Sequence, residues 1–449
     1  MTDCTQVTLG FHPRFPVQVV FDAPETSSDG GALLLRQMDD RLGLSERFSA
    51  CLPDVRDPRF IVHERLEQSR QRIFQIALGY EDCNDAGALR LDPLLKVACD
   101  LTPEDETRLS SQPTLSRLEN AVDMKSIKKL LKQIEGDYVS SFKSAPEVVV
   151  LDIDTTDDPT HGQQQLTFFH GFYDQHMYHP MMVFDGMTGQ LVTAILRPGN
   201  THAARGGMGV LRRIILAVKR RFPSTSIVVR ADAGFAVPRL MATLEGLKAE
   251  LGDVDYLFGL AQNAILRRLG APAMAAANAQ FAAGHDYVRH FDSFRYAAET
   301  WPHERLVVMK AERSEKGENP RFIVTSIEGF PPAWMYDAYC ERGQCENFIK
   351  DFKNALKADR LSCETFTANF FRLLEHAAAY VLMHALRVEA GRQSPSLATV
   401  QMDTLRLRLL KVAATVKQSA RRILVRLPRA FPLANIFAAI SGALVTLNL

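Results

Sequence analysis

Hydrophobic positions change texture along the chain. Up to about residue 140 they fall at helical spacing. Val62, Leu66, Ile73, Ala77 and Tyr80 are separated by 4, 7, 4 and 3 residues, one apolar helix face. Gly79 and the turn-forming EDCNDAG close that helix. In SQPTLSRLEN, Ser116 stands three residues before Glu119, a capping-box spacing that predicts the start of the next helix. Lys125, Lys128, Lys129 and Lys132 then line that helix, as a solvated face or a DNA contact.

At Glu147 the pattern becomes β-like. EVVVLDIDTT is a β-branched run ending in polar residues, the mark of a buried strand with acids at its C-terminal end. MYHPMMVFDG and QLVTAILRPG, with MTG between them, predict a hairpin. ARGGMGVLRRIILAVKRRF predicts a helix, SIVVRADAGF a second buried strand ending in an acid, VPRLMATLEGLKAEL a helix and VDYLFGLA a third strand. A three-stranded meander followed by βα units implies an α/β fold, a mixed sheet flanked by helices. Residues 264–330 interrupt this order with an Ala-rich half and the strand-like RLVVMKAE and RFIVTSI, an insertion. A long helix is expected from Trp334 to about Lys357. FRLLEHAAAYVLMHALRVEA predicts an apolar helix, and LRLRLLKVA with RRILVRL a strand pair.

Composition narrows the class. With 449 residues, 46% hydrophobic and 23% charged, disorder, collagen and coiled-coil architectures are excluded. The net charge of +1 argues against a simple basic nucleic-acid coat. Seven cysteines without a CxxC pair argue against a disulfide framework or a cysteine zinc site and for a reducing cytosol. The N-terminal segment lacks a signal-peptide pattern. Ala430 to Leu449 carries no charge, but Pro432, Asn435, Ser441, Gly442 and Asn448 dilute it, so a buried terminal helix is expected over a membrane anchor.

The candidate chemistry lies in the acids. Asp152, Asp154, Asp157 and Asp158 crowd the end of the first buried strand, and Asp232 ends the second. Ligands of open α/β sheets bind at those carboxyl ends. Two aspartates brought together there repel unless a divalent cation holds them, and oxygen-only ligands favour Mg²⁺ or Mn²⁺ over zinc. On the helix from Trp334, Tyr339, Arg342, Glu346 and Lys353 are spaced 3, 4 and 7. On an ideal helix they fall within an arc of about 60°. That stripe suits a carboxylate completing the acid set between two phosphate-binding cations, or a ladder of surface ion pairs.

These residues resemble bacterial insertion-sequence DDE transposases of the group with the Y-(2)-R-(3)-E-(6)-K signature, complete here at Tyr339, Arg342, Glu346 and Lys353. IDTT at 153–156 looks like the motif of the first Asp and RADAGF at 230–235 like that of the second. GYEDCNDAGALRLDPLLK and SQPTLSRLEN are similar to one branch of the group. The resemblance covers roughly residues 30–430. It implies a ribonuclease-H-like core with a partly β insertion before the Glu. Asp154 and Asp232 lie 78 residues apart, and Asp232 and Glu346 114. Asp152 and Asp154 share a strand face; Asp154 is preferred because the family's Asp precedes a small residue and Thr, with Asp152 as the alternative.

The resemblance further implies DNA cleavage and strand transfer at Asp154, Asp232 and Glu346 through two Mg²⁺ or Mn²⁺ ions without ATP. Tyr339, Arg342 and Lys353 would contact DNA, as would Arg421 and Arg422 of a C-terminal stretch with eight basic residues between Asp403 and Arg429. A second basic run spans Arg205 to Arg221. Five histidines between 161 and 202 lack HExxH-type spacing. The expected organisation is a mainly helical region 1–140 for DNA binding or dimerisation, a first core segment 147–263, the insertion 264–330, a core continuation 331–395 and a basic segment 396–449. The expected partners are double-stranded DNA, comprising terminal inverted repeats and target, and a second copy as a homodimer on paired ends. A cytoplasmic, nucleoid-associated bacterial location is expected, with no membrane. The alternatives are a catalytically inactive DNA-binding derivative and a related metal-dependent nuclease.

Overall fold

The run EVVVLDIDTT folds as strand β1, Val148–Thr155, in which residues 149–153 are buried in succession rather than alternately. A strand covered on both faces belongs inside a sheet, and β1 lies there. The computed structural model describes residues 6–104 and 106–445. It divides into two compact units, Glu119–Val381 and Met1–Leu118 with Leu382–Leu449.

In the first unit, β2 (Met181–Asp185) pairs antiparallel with β1, and β3 (Leu191–Ile195) with β2. On the other side β4 (Ser226–Ala231) runs parallel to β1, and β5 (Val254–Leu260) parallel to β4. The helices α1 (Met124–Ser141), α2 (Gly207–Arg221) and α3 (Pro238–Leu251) flank the sheet. Leu211, Ile215, Leu240 and Leu244 from α2 and α3 pack against Leu151 and Val229 of the strands. The expected mixed sheet between helices is therefore present. Because β1 and β4 are parallel, both expose their carboxyl ends at one sheet edge. Arg230 pairs with Asp152 in the register, so two residues further Asp232 follows β4 where Asp154 follows on β1.

Residues 264–330 do not build a sheet of their own. After the helices Ala264–Leu269 and Ala271–Ala282 come β6 (Tyr287–Tyr296), β7 (Arg305–Ser314) and β8 (Gly317–Thr325). β8 pairs antiparallel with β5, so one sheet runs β6-β7-β8-β5-β4-β1-β2-β3. RLVVMKAE and RFIVTSI supply β7 and β8. β6 escaped the sequence pattern because YVRHFDSFRY, a sheet-edge strand, carries five polar or charged residues besides its aromatics.

The expected continuous helix from Trp334 to Lys357 is instead α4 (Pro332–Cys340), α5 (Gly343–Lys350) and a π-turn at Asp351–Ala355. Between α4 and α5 the backbone stays right-handed, but Arg342, Gln344 and Cys345 donate to the carbonyl three residues back. Such 3₁₀ bonds overwind the chain, and the π-turn unwinds it. The stripe drawn on an ideal helix is thus bent twice. Ser116 lies inside the helix Gln112–Ala121, not at a helix start. The cap of α1 is Asp123, whose carboxylate accepts from the Ser126 amide, because a β-region residue just before the helix satisfies its free N–H groups.

In the second unit the helix Arg65–Leu78 ends at Gly79, φ +92, as its sequence implies. It is buried on nearly every side rather than on one face. Arg70 reaches Asp39 and Ser45, Gln71 exchanges hydrogen bonds with Ser110, and Arg72 donates to the Tyr80 and Glu81 carbonyls. LRLRLLKVA is helical over Met402–Leu410 and is no strand; the hairpin partner of Arg422–Arg426 is Ala414–Ser419. The N-terminal region also holds a hairpin, Gln6–Leu9 with Val17–Val20. The terminal helix Ala434–Val445 buries Ile440 and Leu444, and its predicted last residues, 446–449, lie outside the described residues. Among the described residues no helix is long and apolar enough to cross a membrane.

Candidate active site

Asp154 occupies the last turn of pleat of β1, where the strand leaves the core. Its Oδ1 accepts from the Thr155 amide at 2.8 Å and its Oδ2 from the Arg342 guanidinium at 2.9 Å. Asp232 follows β4 and caps a short 3₁₀ turn by accepting from the Gly234 amide at 2.9 Å. The two aspartates are close enough for one charge to act on the other. Burial, together with Asp232 and against Arg342, pushes the Asp154 carboxyl up to about 6. Arg342 is held above its ordinary value: burial opposes its charge, but Asp154, Tyr339 and Asp232 more than offset that.

Tyr339 ends its side chain against the backbone of β5. A Cβ on Gly259 would meet the Tyr339 hydroxyl at 2.7 Å and the Ala233 amide nitrogen at 3.0 Å. Only glycine lets the phenol approach so closely. Burial raises the Tyr339 phenol, with Arg342 opposing. Tyr339, Arg342, Asp154 and Asp232 thus form one cluster at the carboxyl edge of the sheet.

Glu346 is placed differently. It stands exposed in the first turn of α5, and among the described residues it has no hydrogen bond or ion pair. Its neighbour Cys345 is fully buried, and burial raises that thiol well above its ordinary value, with the charges of Asp154 and Asp152 adding to the effect. The first turn of α5 therefore lies beside the end of β1. Among the described residues, no three His, Cys, Asp or Glu side chains lie together as a closed ligand set. Arg342, not a third carboxylate, is the immediate partner of Asp154.

Asp152 is engaged elsewhere. Fully buried, it receives two hydrogen bonds from Arg230 on β4, Nε to Oδ1 at 2.6 Å and a terminal nitrogen to Oδ2 at 2.8 Å. Arg230 also donates to the Ala338 carbonyl at 2.8 Å and to Glu341 at 3.2 Å, which ties the end of α4 to the sheet. Sequence reading passed over Arg230, although a charged residue in a buried strand at the depth of Asp152 signals a partner. Lys353 turns to Asp157 and Thr156. Arg421, in a turn, and Arg422, on the strand after it, are exposed and belong to the other unit.

The tongue formed by Phe168–His170 and Gln175–Tyr178 reaches the same edge. Burial raises the phenol of Tyr173 at its tip, and the charges of Asp157, Asp154 and Asp232 add to that. His179 donates through Nδ1 to the Thr201 carbonyl at 2.8 Å, and burial lowers it to about 4. It is a packed, neutral histidine.

Over residues 11–449 the sequence matches the family model described as Transposase DDE domain group 1. The chain belongs to this family of DDE transposases. No curated protein matches it significantly. Among solved structures it is similar to one described as the cryo-EM structure of piggyBac transposase synaptic complex with hairpin DNA. That match has 10% identity, covers 84% of this chain and 79% of the other, and has a TM-score of 0.43. Families of DDE transposases normally use divalent metal ions.

Proposed function

We propose that this transposase mobilises an insertion sequence by cutting DNA at the element's terminal inverted repeats and joining the freed ends to target DNA, with Asp154, Asp232 and Glu346 as its acid triad on a ribonuclease-H-like sheet. The observation that carries this is the pairing of Asp154 and Asp232 at the ends of adjacent parallel strands. The exposed Glu346, which follows the buried Cys345 whose thiol feels the charge of Asp154, is compatible with it. The donor set, oxygen atoms only, fits Mg²⁺ or Mn²⁺. Such ions, two in enzymes of this type, would supply Lewis-acid stabilisation of the attacking and leaving oxygens.

The chain's own groups position and neutralise. In cleavage a water oxygen attacks phosphorus and the bond to the 3′ oxygen breaks, leaving a 3′-hydroxyl and a 5′-phosphate; in joining, that hydroxyl attacks a target phosphate, its proton is lost, and the target's bond from phosphorus to its own 3′ oxygen breaks, that oxygen leaving as a hydroxyl. Arg342 can exchange Asp154 for a DNA phosphate, since its planar fork suits either anion. Tyr339 holds Arg342 from behind. The charged-strand pair Asp152 and Arg230 fixes the edge on which all this rests, which leaves Asp154 as the acid for chemistry. A second copy of the chain would serve the second DNA end.

Replacing Asp154 or Asp232 by Asn tests the reading. On duplexes carrying the element's ends, each variant is expected to retain binding and to lose Mg²⁺-dependent nicking by at least about a thousandfold, the scale of removing a central transition-state stabiliser. Nicking at the normal rate in either variant would overturn the assignment.

A further inference from the structure

We propose that β6, the open edge of the large sheet, is the surface on which two copies of this chain join, antiparallel and centred on Phe291. The strand Tyr287–Tyr296 pairs with β7 alone. Among the described residues, no backbone–backbone hydrogen bond ties it to anything else. It holds neither proline nor glycine, and a long edge of that kind is a template for another strand.

The groups that face outward follow from the register. Ser314 and Gly317 flank a two-residue turn between β7 and β8, which makes them a hydrogen-bonded pair. Alternation then turns the backbone of Arg313, Ala311 and Met309 toward β6, against Val288, His290 and Asp292. The odd-numbered residues from Tyr287 to Arg295 therefore present their N–H and C=O groups to the open side. Ser293 agrees with this, since its amide donates to the neighbouring Asp292 carboxylate at 2.8 Å. A row of alternating donors and acceptors calls for another strand, whereas a DNA backbone offers acceptors alone.

Self-complementarity selects the occupant. Two copies of one edge meet about a two-fold axis perpendicular to the sheet. That axis keeps each residue on its own face, so every register is centred on a residue. In this strand the longest registers are centred on Phe291 and on Asp292. The second opposes Asp292 to itself and Arg289 to Arg295, like charges that destabilise a cross-strand pair. The first opposes no like charges. It sets His290 beside Asp292, Val288 beside Phe294, and Tyr287 beside Arg295, whose charge Glu328 balances. Phe291 meets its own copy on the axis. That ring is half-buried against Tyr336 of α4, with centroids 5.7 Å apart. The seam thus lies one side chain from the helix that carries Tyr339.

This surface does not depend on the acid triad, and its test reads association rather than cleavage. Hydrogen-bonded antiparallel partners have Cα atoms about 5.5 Å apart, inside the range of a disulfide. Full-length Phe291→Cys is expected to oxidise to a covalent dimer well beyond the parent chain, whose exposed Cys340 sets the background. Ser293→Cys alone should stay at that background, since its two copies would lie about 13 Å apart along the strands. Combined with Arg289→Cys it should cross-link. Ser293→Pro removes an outward N–H from each copy and leaves the ladder to β7 intact, as edge strands tolerate. Sedimentation of the chain, free and on end duplexes, should then show self-association weakened about 5- to 150-fold, the effect of two lost hydrogen bonds. The salt dependence of DNA binding should match the parent. A parent that stays monomeric in both states overturns the proposal, as does a Phe291→Cys chain without cross-links. Equal cross-linking in Ser293→Cys, or a folded Ser293→Pro that associates like the parent, does so too. A flattened salt slope in Ser293→Pro would give this edge to DNA instead. Should Ser293→Pro fail to fold, the cysteine variants decide alone.

Discussion

Asp152 and Asp154 point to the same face of one strand, yet one is locked in a buried ion pair and the other reaches the sheet edge. Removing half of a buried pair leaves an uncompensated charge, which costs about 3–5 kcal/mol. Asp152→Ala is therefore expected to lose that much stability in urea unfolding. Asp154→Asn keeps an oxygen for Arg342 and removes a charge that burial and Asp232 disfavour, so it should stay within about 1 kcal/mol of the parent while losing cleavage. The strand pattern could not separate these two residues, since both alternate onto one face. What separates them is Arg230, whose position opposite Asp152 depends on strand register. Gly259 is equally silent in sequence. Adding a methyl group there should cost about 1–3 kcal/mol through overpacking. Tyr339→Phe, which removes the oxygen that the Cβ would meet at 2.7 Å, should restore part of the loss. Thermal melts of the single and double variants check this, and equal losses with and without the hydroxyl would contradict the contact.

Among the elements, the central strands of the large sheet were legible, β6 and the N-terminal hairpin were not, and the helix of the signature was only half so. β1, β4 and β5 show as mainly apolar runs because they are largely buried on both faces, and β2 and β3 show as a hairpin because MTG sits between them. The helix from Pro332 reads as continuous because, apart from Gly343 at the break, its interior residues are ordinary helix formers. Its 3₁₀ break and π-turn come from contacts that periodicity does not encode: Arg230 on the Ala338 carbonyl and Lys353 on Asp157. Helix α6 (Phe366–Gln393) carries a further prediction. Its His384 is buried and accepts at Nδ1 from Arg387 at 3.3 Å, so the ring is neutral. Burial, with Arg387 adding, lowers it from 6.5 to about 3. The folded state thus binds fewer protons than the unfolded state between these values. Stability is full above about pH 6.5 and is lost as pH falls toward 3, by a few kcal/mol. His384→Gln keeps an acceptor without titrating, and its denaturation midpoint should vary less across that window. An undiminished pH dependence would mean that other groups carry it.

At the scale of the whole molecule, the family and the acid edge were readable from short motifs, whereas the two-unit division was not. It joins the N-terminal 118 residues to the chain after Leu382, through pairings such as Ala414 with Ser27. Long-range strand pairing leaves no local pattern. In that unit Lys417, Arg422 and Arg426 share one face of the hairpin, since Lys417 lies opposite Leu424 and Thr415 opposite Arg426. Replacing Arg421 and Arg422 by Ala should flatten the salt dependence of DNA binding by up to about 2, the counterion release of two phosphate contacts. An unchanged slope in a folded variant would leave these arginines facing only water. The central claim is that Glu346, exposed and unpartnered, completes the site begun by Asp154 and Asp232. Counting Mn²⁺ bound per chain in the protein–DNA complex, by electron paramagnetic resonance of wild type and Glu346→Gln, tests it most directly. The account predicts two ions in the wild type, the number that clamps an in-line displacement, and fewer in Glu346→Gln with DNA still bound. The same count in both proteins would contradict it.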